Sequence, residues 1–154
     1  MGLITNIYLK ENISLVTLAG AVANVSFLSR VFGDIADAKI NVDMISQTAP
    51  MGKKVTLSFT VDNKDMVKVL ELSKSITKSY PEVKPLVSGN YAKISLFSED
   101  MPEECGVAAK VFEILEEEGI EIAIITTSET DVSILVNESI AATAYEKLKE
   151  KFCV

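Results

Sequence analysis

The sequence predicts an α+β fold made of two βαββαβ units, the first inserted within the second. Three observations carry this. First, the chain repeats itself. Val31-Phe32 and Val111-Phe112 stand eighty positions apart, and the same shift aligns Arg30 with Lys110, Ile40 with Ile120, Val42 with Ile122, Met44 with Ile124 and Ile45 with Ile125. A repeat of this kind sets the architecture before any single residue does. Second, each copy alternates strand-like and helix-like apolar spacing in the order strand, helix, strand, strand, helix. Third, the second copy ends without its last strand, while the chain opens with a spare one.

The elements follow in order. Leu3 to Tyr8 reads as the spare strand. Ile13 to Leu18 and Tyr91 to Phe97 are β-rich and partly alternating, and open the two copies. Phe27, Val31, Phe32 and Ile35 then recur at helical spacing, as do Val107, Val111, Phe112 and Leu115, so both helices are expected to bury the same face. Ser26 is available to cap the first helix. Glu116-Glu117-Glu118 reads as the end of a solvated face before Gly119, a C′ glycine.

The second strands are expected at Ile40 to Ser46 and Ile120 to Thr126, and the third at Val55 to Val61 and Val132 to Val136. A hairpin joins them, longer in the first copy, where Pro50-Met51-Gly52 supplies turn chemistry. Asp62 and Asn137, seventy-five positions apart, are N-cap types. The helices after them carry Met66, Val69 and Leu70, and Ala141, Tyr145, Leu148 and Phe152. Glu82 to Val87 is a sixth element in the first copy, with Pro85 suggesting a sheet edge. This completes the ferredoxin-like split unit. The expected domains are therefore 13–90, and 1–12 with 91–154. Met1 to Leu18, read as strand, turn, strand, parallels Lys84 to Phe97.

Composition narrows the function. The 154 residues are 48% hydrophobic and 24% charged, ordinary for a globular chain with a real core. Net charge is −7 and Arg30 is the one arginine, which argues against nucleic acid, whose phosphates need clustered cations. No membrane segment is expected: the longest greasy stretch, Ile120 to Ile125, is interrupted by Glu121. Met1 to Leu9 lacks the basic start and apolar run of a signal segment. Cys105 and Cys153 make no disulfide framework, so a cytoplasmic setting is the simplest expectation. Without histidine there is no histidine-based triad or metal site. No P-loop or dinucleotide fingerprint appears. No cofactor, metal or catalytic residue is expected.

Two stretches resemble a known family. Ile40-Asn41-Val42-Asp43-Met44-Ile45-Ser46-Gln47 resembles the second-strand motif of aspartokinase regulatory domains. Cys105-Gly106-Val107-Ala108-Ala109-Lys110-Val111-Phe112, with Thr127-Ser128-Glu129, resembles the second ACT unit of the same family. The resemblance covers nearly the whole chain and implies the inserted arrangement. The chain has no kinase part, so it is similar to the separate β subunit that some bacteria make. It then implies an effector role, with the ACT pair binding lysine or threonine and feeding back on an aspartokinase catalytic chain.

By this resemblance the effector contacts are Asn41, Asp43 and Gln47 in the first unit, with Gly106, Val107, Glu121, Ile122, Thr127, Ser128 and Glu129 in the second. They would lie at the seam between the units. Helix N-terminal N–H groups there suit an amino acid's carboxylate, and side-chain acids and carbonyls suit its ammonium. One loop departs from the family, which usually reads Asp-x-Pro-Gly before the first helix; here Ala23-Asn24-Val25-Ser26 stands instead. Bland readings stand beside these. Asp43, Gln47, Thr127 and Ser128 are also what an unliganded strand end carries. Arg30 fits a surface ion pair, and Cys105 a plain loop thiol. Two other functions stay open: a structural or dimerisation ACT pair that has lost its effector, and a free-standing amino-acid sensor. The apolar Ile120–Ile125 run, greasy on both faces, favours a homodimer.

Overall fold

The computed structural model describes residues 3–154; Met1 and Gly2, counted in the expected span 1–12, lie outside them. The chain divides into two compact units. One is Ile13–Gly89; the other joins the segment through Asn12 to Asn90–Val154.

In the first unit, β1 (Asn6–Val22, its part from Ile13 onward) leads into α1 (Val25–Asp37), β2 (Val42–Gln47), β3 (Lys54–Asp62), α2 (Met66–Ser79) and the start of β4 (Lys84–Phe97). The strand order is β2-β3-β1-β4, with β3 antiparallel to both β1 and β2. Val16 and Leu18 of β1 sit opposite Phe59 and Leu57 of β3. These four turn one sheet face toward Phe27, Val31 and Ile35 of α1 and Val69 and Ile76 of α2, and all are buried in one core. Asp62 caps not α2 but a single 3-10 turn, Asn63–Asp65, that precedes it.

The second unit repeats the plan with the first part of β1, the rest of β4, α3 (Val107–Glu117), β5 (Ile124–Thr127), β6 (Asp131–Asn137) and α4 (Glu138–Phe152). The order is β1-β4-β6-β5. Ile4 and Ile7 are buried with Ile94, Leu96, Val111, Ile134, Leu148 and Phe152. The Thr5 N–H and hydroxyl both donate to the Phe97 carbonyl, at 2.9 and 3.0 Å. Asn137 caps α4 as its residue type predicts, accepting from Ser139 N at 2.9 Å.

Several boundaries differ from expectation. The turn expected between Tyr8 and Ile13 is absent: β1 runs unbroken for 17 residues, with Asn12 at φ 60° inside it. Likewise β4 absorbs Asn90 at φ 66°. Asparagine tolerates the left-handed region better than most residues, so a kink replaces a turn. β2 and β5 begin late because the preceding helix claims their first N–H groups. Gly119 N–H donates to Glu116 and Ile120 N–H to Leu115, at 3.0 and 2.9 Å. Lys39 and Ile40 do the same toward Ala36 and Ile35. Both helices thus close with a Schellman motif; Gly119 supplies its positive φ, and Lys39 adopts one at φ 60°.

The two helix faces are not equally buried either. Phe32 packs edge-on against Phe59, ring centroids 5.5 Å apart. Phe112, its counterpart, is 39% exposed. Seventy-five positions beyond Phe59 stands Ile134, so Phe112 has no ring to meet. The Glu116–Glu118 run is not simply solvated. Glu117 pairs with Lys151 at 3.2 Å and Glu118 with Lys147 at 3.7 Å, linking α3 to α4. The Glu117 carboxylate holds the Lys151 ammonium above the usual lysine range. Arg30 forms the expected surface pair, with Asp34 at 3.0 Å.

Candidate functional site

The first unit places its candidate residues along its outer strand; the second spreads them over the start of α3, the connection after it and the end of β5. In the first unit, β2 borders β3 alone. Asn41, Asp43 and Gln47 are all exposed along it. The ladder slips between Val42 and Ile45, and the Met44 N–H turns to the hydroxyl of Thr60, 2.9 Å away and fully buried. Thr60 therefore sets the course of the strand that carries Asp43. Sequence reading missed it, because a threonine in β3 looks like any β-former.

At the other end of β2 the hairpin is tied to the β1–α1 connection by Ala23 N–H donating to Lys53 O at 3.0 Å. That connection ends at Asn24. Its side chain accepts from Phe27 N–H at 2.8 Å and caps α1. The cap expected of Ser26 is therefore wrong: β1 continues to Val22, so the helix starts at Val25 and Ser26 already lies inside it. Asn24→Ala should lower stability by about 1 kcal/mol, and Asn24→Ser by much less, as read from urea denaturation midpoints.

The second unit differs at the matching point. Gly106 occupies the N-cap of α3 at φ 89°, and no side chain caps the helix. The N–H groups of its first turn, beginning at Val107, have no side-chain acceptor. A helix start of this kind favours an anion. A Cβ at Gly106 would meet no atom within 4 Å, so the glycine serves backbone conformation rather than space.

Thr127 closes β5, and Ser128 and Glu129 form the turn into β6; all three are exposed. Ser128 N–H donates to Asp131 O at 2.9 Å, and the Ser128 hydroxyl accepts from Thr130 N–H at 3.3 Å. Ser98 N–H donates to Thr130 O at 3.0 Å, tying this turn to the connection that leads to Gly106. Gly106, Val107 and the Thr127–Glu129 turn therefore belong to one end of the unit.

Glu121 and Ile122 belong to the other. They line an apolar groove of about 410 Å³ with Phe112, Leu115, Gly119 and Ile125, at the C-terminal end of α3. The 11 residues of that helix span about 16 Å. The second-unit set thus splits into two clusters, because the chain reverses between α3 and β5.

Among the described residues, no group of three His, Cys, Asp or Glu side chains converges to hold a metal. Nor, among the described residues, is any helix long and apolar enough to cross a membrane. Cys105, just before the open helix start, is exposed and unpaired, as is Cys153.

A family model described as an ACT domain matches residues 13–73 and 94–152. An aspartokinase of Bacillus sp. (strain MGA3) is 34% identical over 146 residues, covering 93% of this chain and 35% of that protein. The chain spans about a third of the length of the curated relatives it matches. Among solved structures, a chain in the crystal structure of aspartokinase alpha and beta subunits superposes with a TM-score of 0.88 at 32% identity. The match covers 98% of this chain and 99% of that one. The aspartate kinase from Synechocystis gives a TM-score of 0.94 at 25% identity, covering 99% of this chain and 27% of that one.

Proposed function

From the premise that the chain belongs to the ACT-domain family, we propose that it is the amino-acid-binding regulatory part of an aspartokinase. Its effector in this reading is lysine or threonine, and its partners are a second copy of itself and an aspartokinase catalytic chain. Within it, the segment through Asn12 completes the second ACT unit, and 13–90 forms the first. The burial of Ile4 and Ile7 beside α3 and α4 supports that assignment. A cytoplasmic setting suits the two unpaired thiols.

One observation carries the effector reading: α3 begins at a left-handed glycine with no side-chain cap, beside the exposed Thr127-Ser128-Glu129 turn. The helix start suits a carboxylate, and Glu129 suits an ammonium group. Asp43 and Gln47 of the first unit are the matching polar positions on β2.

A thermal-shift screen of the standard amino acids tests this. Binding to the folded state alone stabilises it by about 2.7 kcal/mol at a hundredfold excess over Kd. Lysine or threonine should raise the midpoint, and Gln47→Ala with Ser128→Ala should abolish the rise. No rise with any amino acid would favour a structural ACT pair instead. The first unit gives that second reading its own support, since the Asn24 side chain is spent on its own helix.

A further inference from the structure

The first unit holds a second concavity whose lining includes no β2 residue. It measures about 350 Å³ and lies where the start of β3 meets the connection from α2 to β4. Val22, Tyr80, Pro81 and Val83 give it apolar walls, and Lys54 and Glu82 stand at it with opposite charges. We propose that this pocket binds a free α-amino acid with an apolar side chain. Lys54 takes its carboxylate, Glu82 its ammonium, and its hydrocarbon rests on Val22, Tyr80 and Val83. The site shares no residue with the positions assigned to the effector on β2, α3 and β5.

The charged groups hang from anchored backbone. Lys54 closes a turn with Met51, its carbonyl accepting from Met51 N–H at 2.9 Å. Glu82 lies in a turn closed by Val83 N–H donating to Tyr80 O at 3.0 Å. Gly20 lets that turn approach β1: its φ is +69°, and an added Cβ would stand 2.9 Å from the Glu82 carbonyl oxygen. The Tyr80 ring is fixed edge-on against Phe27, centroids 4.9 Å apart. Neighbouring Ser79 is held by Arg30, which donates to its hydroxyl at 3.1 Å. Opening the site therefore requires side-chain rotation alone.

Lys54 Nζ donates to Glu82 Oε2. Both side chains are largely in water, 45% and 76% exposed, and such pairs hold weakly. A zwitterion offers each partner a new opposite charge, so one ion pair becomes two. A simple anion would sit beside the Glu82 carboxylate, and a simple cation beside the Lys54 ammonium; the pair selects against both. The volume falls within the range of small-ligand sites.

The test is a titration of the isotope-labelled full chain with L-leucine, followed by amide NMR. Leucine should shift Gly20, Glu82 and Val83. Isocaproate and isoamylamine, each lacking one charge, should bind far more weakly. Lys54→Gln and Glu82→Gln should each lower affinity about two- to fivefold, as for loss of a solvent-exposed ion pair. Their spectra should otherwise match the parent, since both side chains are exposed. No pocket shift at millimolar leucine would overturn the proposal, as would unchanged binding by the doubly substituted chain. Shifts confined to Asn41–Gln47 or Thr127–Glu129 would also overturn it, while leaving the effector reading intact.

Discussion

Ile4→Ala and Ile7→Ala should each lower the unfolding free energy by about 2–5 kcal/mol, with lost hydrogen-exchange protection concentrated in Asn90–Val154. Both isoleucines are buried in the core built by β4, β6, α3 and α4. Truncating either leaves a void that the surrounding core must close. The Thr5 contacts to Phe97 pin the backbone between them, so collapse into the void is restricted. If protection fell instead across Ile13–Gly89, the opening strand would not belong to the second unit, and the inserted arrangement would be lost.

Phe59→Ala should cost about 3–5 kcal/mol, with the loss of protection in Ile13–Gly89. Phe59 faces Val16 on one side and Ile45 on the other, with Phe32 edge-on above it. Its removal takes away an aromatic pair as well as buried area. Equilibrium denaturation measures the loss, and exchange localises it. A cost below about 0.5 kcal/mol, the range of ordinary surface changes, would mean that the first unit's core is not centred on this ring.

The helices and inner strands were legible because their apolar spacing is local information. Phe27, Val31 and Ile35 mark α1 by themselves, and alternation marks β3. The errors fall where a distant group decides. Lys10-Glu11-Asn12 has the composition of a turn, yet β1 runs through it, and the Asn12 N–H donates to the Glu138 carboxylate of distant α4. Ile40 and Ile120 look like strand openers, but their N–H groups close the preceding helices. Phe32 and Phe112 occupy the same place in the repeat, and only the residue across the sheet separates buried from exposed. Ser26 and Asn24 are both good caps, and the choice depends on where β1 ends.

The candidate site was legible only through the resemblance. Gly106 was named that way, and its φ of 89° at the start of α3 gives the physical reason a glycine stands there. The split of Glu121 and Ile122 from the Thr127–Glu129 turn was not legible, since it follows from chain direction after α3. Lys54 and Glu82 lie 28 positions apart, and no spacing rule joins them.

Among the described residues, β2 and β5 each have a single neighbouring strand, with Ile45 and Ile125 exposed on them at 52% and 42%. Each therefore presents an outer sheet edge beside greasy side chains, a surface that can template stacking between copies. The net charge of −7 opposes such stacking through mutual repulsion. Protonation of surface carboxylates removes that repulsion as the net charge approaches zero. Near the isoelectric point of about 4.7, folded chains are therefore expected to associate edge to edge and precipitate, which turbidity against pH would read.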